Sequence, residues 1–354
     1  MTDTISTNNI ATLSELLTLS DSQYRIYDIG RLVTKLSKEQ FEKVELNQLP
    51  YPSPSQGHAF IAIAFWQKKT SQPFLWLLKL PLDERGLLNQ GARNHFIAII
   101  VEALGTNLTQ TTNKEQQQLL SSNPYLYTPP QYKLASLNSK IKVDLKQAPS
   151  KYFNDFLSYL SKIKSQSNQW QHIGVQGIAD FIAQINENNH SQLLVDALPL
   201  LSSEVLSPVC SALENEQYSV TLIDALIDLM TNNLNDAQEN EVDLARNLMV
   251  LRALAANSQH PHVTKLLTQL LAKSKINEQL LITLSGRCWQ GLTDEKLLMT
   301  YLEALLKNNN LALFRNIFAD LVRIPLIRPV ALACIRSEHR SPALAMAVGQ
   351  LFKN

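Results

Sequence analysis

The sequence predicts a two-part fold. An α+β N-terminal unit with a small antiparallel sheet is followed by a mostly α-helical, repeat-like domain of the HEAT or TPR solenoid kind. Three observations predict it. Two apolar runs of strand length, His58 to Trp66 and Phe74 to Leu82, lie close together in the first third of the chain. From about residue 150 apolar residues recur at helical spacing almost without interruption, and no glycine occurs between Gly177 and Gly286. The 354 residues include only 10 glycines, too few for the many turns of a large all-β fold.

Residues 8–20 read as an amphipathic helix through Ile10, Leu13, Leu16, Leu17 and Leu19, and Tyr24 to Ile29 alternates like a strand. Ser37 with Gln40 three residues on resembles a capping box that opens a short helix through Phe41, Val44 and Leu46. Pro50, Pro52 and Pro54 make 47–57 a loop. The runs at 58–66 and 74–82 are apolar on both alternating faces, so each is expected to be buried on two sides. The polar link QKKTSQP between them suits an antiparallel hairpin. Residues 83–104 follow the helical period, with Gly105 as C-cap. These elements imply a sheet of about three strands covered by helices.

The expected domains are 1–120 for the α+β unit, 121–150 for a linker or strap, and 151–354 for the helical domain. Within 106–150 a polar stretch, TNLTQTTNKEQQQ, frames a short helix, and SSNPYLYTPPQY, with its prolines and tyrosines, reads as the strap. Beyond it, helix-length segments fall at 151–163, 171–186, 191–202, 205–214, 219–232, 241–256, 261–273, 277–289, 293–307, 310–323, 328–337 and 342–352. Ser207-Pro208 and Ser341-Pro342 each look like an N-cap followed by proline at the first helical position. Asp294 and Glu295 suit a helix start, Asn232-Asn233 and Asn308 to Asn310 suit stops, and Pro199 should kink or split its segment. An Ala-Leu pair recurs at Ala197, Ala225 and Ala253, but no strict consensus runs through the region. A compact, non-repeating helical domain is the alternative to a solenoid.

Charged residues make up 18% of the chain, against a typical value of about 25%. The net charge of +1 conceals a split: +5 over residues 1–164, −11 over 165–250, where Arg246 is the one basic residue, and +7 over 251–354. The acids of the middle segment either solubilise an outer helical face or steer a basic partner. The polar start MTDTISTNN lacks a basic region before an apolar stretch, so a secretory signal is not expected, nor is a membrane span. Three widely spaced cysteines, Cys210, Cys288 and Cys334, suit reduced core thiols in a cytoplasm.

The segments IYDIGRLVTKL, HAFIAIAFWQ and FLWLLKLPLDERGLL, followed by ARNHFIA, resemble a bacterial family known only as a domain of unknown function. The resemblance is clearest in the N-terminal third and extends over the chain. It implies a bacterial, cytoplasmic protein and carries over no activity, ligand or site residue.

No nucleotide-binding glycine loop, GxSxG or HExxH occurs, and no cofactor or metal is expected. Gly174 and Gly177 suit close helix packing. His260 and His262 offer two potential ligands where a zinc site needs three or four. Cys288 beside Trp289 has no activating histidine pattern and reads as a buried thiol. Asp224 and Asp228 share one helix face, amid enough other acids to make a solvated face the simpler account. The candidate partner-binding residues are Arg315, Arg323, Arg328, Arg336 and Arg340, with Arg252, Arg287 and Lys296 upstream. Arg315 and Arg323 lie about 80° apart around a helix and can edge the same face. These arginines either line a groove for carboxylates or phosphates, or pair with the acidic segment and cap helix ends. The expected function is a non-enzymatic interaction or scaffold protein that binds another protein. The alternative is a nucleic-acid-associated helical-repeat protein that uses the C-terminal arginine surface.

Overall fold

The computed structural model describes residues 10–67, 72–166, 170–234, 241–273 and 276–351. The polar N-terminal stretch and most of the hairpin link lie outside the described residues. The chain groups into two compact units, Met1–Pro129 with Arg323–Pro325, and Pro130–Val322 with Leu326–Asn354.

The first unit is a four-stranded antiparallel sheet covered by helices. Its strands are β1 (Gln23–Asp28), β2 (Thr34–Leu36), β3 (His58–Trp66) and β4 (Phe74–Pro81), in the order β2-β1-β3-β4. Ile63 stands opposite both Ile26 and Trp76, and Ile61 opposite Leu78. This register places Tyr24, Ile26, Ala59, Ile61, Ile63, Phe65, Leu78 and Leu80 in one core with α1 (Leu13–Leu19), α2 (Lys38–Glu45) and α3 (Gln90–Leu104). Phe60, Ala62 and Ala64, of the opposite parity, are buried too, as two-sided burial requires. The sheet has one strand more than the sequence implies, because the three residues of β2 are too few to display a period.

Polar side chains set the helix ends. Ser37 Oγ accepts from the Gln40 N–H at 3.1 Å, and Asn89 Oδ1 from the Ala92 N–H at 2.9 Å. The buried carboxylate of Glu45 accepts from the Leu13 and Ser14 backbone N–H groups at 2.6 and 3.1 Å, tying the end of α2 to the start of α1. Helix α3 starts at Gln90 rather than at 83. Asp83 instead accepts from the N–H groups of Arg85 and Leu87, both at 2.8 Å, in a turn closed by Gly86 at φ +81°. The polar stretch forms α4 (Lys114–Ser121), with a full capping box between Asn113 and Gln116. After it, the Pro/Tyr segment lies along β4: Lys79 N–H donates to Tyr125 O and Tyr127 N–H to Leu77 O, both at 2.8 Å.

The second unit is helical among its described residues. Residues 131–144, within the stretch the sequence assigns to a linker or strap, form α5 (Gln131–Asp144). Its buried face includes Lys133, Ser136 and Ser139, so no apolar stripe announces it. The twelve segments read from the sequence all form helices. They are α6 (Tyr152–Gln166), α7 (Val175–Ile182), α8 (His190–Ala197), α9 (Ser203–Leu213), α10 (Val220–Leu234), α11 (Glu241–Ala253), α12 (Pro261–Ala272), α13 (Glu278–Arg287), α14 (Glu295–Leu306), α15 (Leu311–Arg323), α16 (Arg328–Arg336) and α17 (Pro342–Leu351). Pro199 lies in a 3-10 turn, Leu198–Leu200, that ends the α8 segment. Pro342 opens α17, and Asp294 caps α14 by accepting from the Leu297 N–H. Pro208 does not open a helix. It sits inside α9, which begins after Ser202, because the stripe Val205, Leu206, Val209, Cys210 and Leu213 is buried as one face and offsets the lost backbone bond. Helix α10 runs through Asn232-Asn233 to Leu234.

Helices two apart in sequence pack together. One row contains α5, α7, α9, α11 and α13; another contains α6, α8, α10, α12, α14 and α16. Hydrogen bonds between neighbours span 28 residues from Ser191 to Ser219, 35 from Tyr218 to Ala253 O and 41 from Asn257 to Glu216 O. The row packing is compatible with a solenoid, and the uneven spacing explains the missing consensus.

Gly177 in α7 faces α6 so closely that a Cβ would lie 2.2 Å from the Tyr152 carbonyl oxygen. The neighbour is backbone and cannot rotate away. Gly177→Ala should therefore destabilise the second unit by about 3 kcal/mol in urea denaturation; unchanged stability would contradict the close α6–α7 packing.

Candidate functional site

Helix α15 buries Phe314, Ile317, Phe318 and Leu321, which turns Arg315, Ala312, Ala319 and Arg323 outward. Arg315, Arg323 and Arg336 are exposed, and among the described residues none of them pairs with a carboxylate. Arg323 falls in the stretch that groups with the first unit. Arg328 and Arg340 are held differently. Arg328 Nε donates to Val322 O at 2.9 Å, and the Arg340 guanidinium donates to Ile335 O. Both satisfy carbonyls at the ends of α15 and α16, where the helix dipole favours a cation. The five arginines thus divide into three exposed side chains and two helix-end caps.

The acidic segment is not wholly a solvated face. Glu214, at the end of α9, has a fully buried side chain. It accepts two bonds from Arg252, from Nε and from Nη2, the latter at 3.0 Å, and Arg287 Nη1 stands 3.7 Å away. The Arg252 guanidinium also lies over the Tyr132 ring, 4.2 Å from its centre. Burial alone would lower the Arg252 pKa; the bond and charge of Glu214 outweigh it and raise it. Glu216 pairs with Lys140 at 2.8 Å, and burial pushes its carboxyl up. Asp180, in α7, accepts from Ser139 Oγ at 2.6 Å, the Ser150 N–H at 2.7 Å and Gln176 Nε2 at 2.9 Å. Burial raises the Asp180 pKa, but these bonds together hold it below its ordinary value. The sequence could not single out these three acids, because most of their partners lie 30 or more residues away along the chain.

The remaining candidates have structural partners. His262 Nδ1 meets Asp224 Oδ1 at 2.6 Å, and the His260 side chain accepts from the His262 N–H at the start of α12. Among the described residues no group of three or more His, Cys, Asp and Glu side chains could hold a metal ion. Burial pushes the thiols of Cys210 and Cys288 up to about 12 and that of Cys334 to about 11, far from nucleophilic at neutral pH. No described helix is long and apolar enough to cross a membrane.

A family model described as "Protein of unknown function (DUF3549)" matches residues 8–352, nearly the whole chain. The chain belongs to the DUF3549 family. This agrees with the resemblance read from the N-terminal segments, and the DUF3549 description assigns no activity or residue role. Neither a curated protein nor a solved structure matches the chain.

Because the folded state lowers the Asp180 pKa, the stability this group contributes is fully present above its unfolded value of 3.8 and is lost as pH falls through the lower folded value. Asp180→Asn should cost about 2–3 kcal/mol at neutral pH and flatten the acid limb of the stability curve. A full acid limb in the variant would assign it to other carboxylates.

Proposed function

We propose that this protein is a non-enzymatic scaffold that binds another protein, in a bacterial cytoplasm, through the exposed arginine surface of its C-terminal helices. The observation that carries this reading is the mixture on those helices. Arg315, Arg323 and Arg336 are exposed, with Leu311 43% exposed and Leu326, in the turn after α15, 60% exposed. Exposed arginine together with exposed leucine suits a partner with carboxylates around an apolar centre. Three buried, unbridged cysteines fit the cytoplasmic setting. The helical rows supply the kind of extended surface that repeat proteins use for partners, a fold-level analogy.

The second reading, nucleic-acid binding, is favoured by the same three unpaired guanidiniums. It is weakened because Arg328 and Arg340 each spend a guanidinium bond on a carbonyl at a helix end, which draws them away from a phosphate backbone.

Replacing Arg315, Arg323 and Arg336 together by Gln should weaken binding to a partner captured from the native cell by at least about tenfold at low salt. Wild-type affinity should fall as salt rises, and the melting temperature of the variant should stay nearly unchanged. Lost stability with intact binding would overturn the reading. Co-purifying nucleic acid with a steep salt dependence would favour the alternative.

A further inference from the structure

Helices α5 and α7 lie side by side, and their C-terminal halves, with the loops that follow, line a cavity of about 270 Å³. Six of its side chains are polar and long or charged: Lys142, Lys146 and Gln147 from α5 and its loop, and Asp180, Gln184 and Glu187 from α7 and its loop. Asp180 takes no part in recognition. Its carboxylate is fully buried and already accepts from Ser139, Ser150 and Gln176. Lys142 Nζ stands 3.8 Å from Asp180 Oδ2, an ion pair without a hydrogen bond that offsets the Asp180 charge. Lys146 and Glu187 are exposed lining residues, and among the described residues neither has an ion-pair partner. With Lys142 paired to Asp180, the ammonium group of Lys146 and the carboxylate of Glu187 are the lining charges left without an ion-pair partner among the described residues.

The size and lining narrow the ligand. The volume equals about nine waters, below the usual range for drug-sized apolar ligands. A simple anion would leave Glu187 uncompensated. A simple cation would leave Lys146 uncompensated. We propose that the cavity binds a small zwitterion of free amino-acid size, its carboxylate held by Lys146 and its ammonium group by Glu187. Gln184 Nε2 donates to Asp180 O at 3.2 Å, which leaves the Gln147 amide as the neutral lining group for a small polar side chain. The site is separate from the arginine surface proposed for partner binding, and neither reading depends on the other.

Isothermal titration of the full chain tests this with glycine, L-alanine, L-serine and L-glutamine as zwitterions, succinate as the anion and 1,4-diaminobutane as the cation. At least one amino acid should bind saturably with a stoichiometry of one, and succinate and diaminobutane at least about tenfold more weakly. Lys146→Met and Glu187→Gln, both at exposed positions, should each weaken that binding by about tenfold and leave the melting temperature of the free protein unchanged. The proposal is overturned if no amino acid binds at up to about 10 mM, a concentration that detects contacts of only a few kcal/mol. Equal binding of succinate or diaminobutane, or undiminished binding by both variants, overturns it as well.

Discussion

In the second unit the row helices hide apolar stripes against the helices two positions along the chain, and the rest of that unit depends on this constraint. A short helix such as α9 or α11 could not bury its face alone in water. Stacked in rows, the helices share an interior compatible with a solenoid, and on that reading each position is held by near neighbours rather than by one central core. Bonds between successive helix pairs add register to that packing. The Tyr218 hydroxyl reaches the Ala253 carbonyl, Asn257 reaches Glu216 O, and Lys307 reaches the carbonyls of Leu271 and Lys273.

The same stacking decides what becomes of the charge. A carboxylate enclosed among the row helices survives there only with a cation or a set of hydrogen-bond donors beside it. Glu214 meets this condition through Arg252 and Arg287, and Glu216 through Lys140. Asp180 meets it chiefly through hydrogen bonds to neutral donors. Part of the acidic excess of residues 165–250 is therefore spent inside the unit, on cations from α5, α11 and α13. The exposed arginines Arg315, Arg323 and Arg336 remain outside these ion pairs among the described residues.

What was legible in the sequence follows from how local each signal is. Helices α6 to α17 could be read because an amphipathic stripe and a cap are written within a dozen residues, as at Asp294 or Ser341-Pro342. Strands β3 and β4 were legible as long apolar runs. Helix α5 was not, since its buried face carries lysine and serine that acquire partners only in the fold, such as Ser139 with Asp180. Pro208 misled because a local cap rule competed with a longer apolar face and lost. The roles of Arg328 and Arg340 were half legible: capping was one of two readings, and only the positions of the Val322 and Ile335 carbonyls decide it. Pairing of arginines with the acidic segment was likewise one of two readings, but nothing local links residue 214 to residues 252 and 287, so the Glu214 cluster itself could not be named.

The claim that neighbours, rather than a single core, hold the second unit is tested most directly by native-state hydrogen exchange on Arg252→Met. This substitution leaves Glu214 buried without its bidentate partner, a loss of about 3–5 kcal/mol. Exchange should accelerate in α9, α11 and α13, while the β1–β4 sheet and α16 retain wild-type protection. Uniform acceleration across both units would contradict the account and indicate one cooperative core.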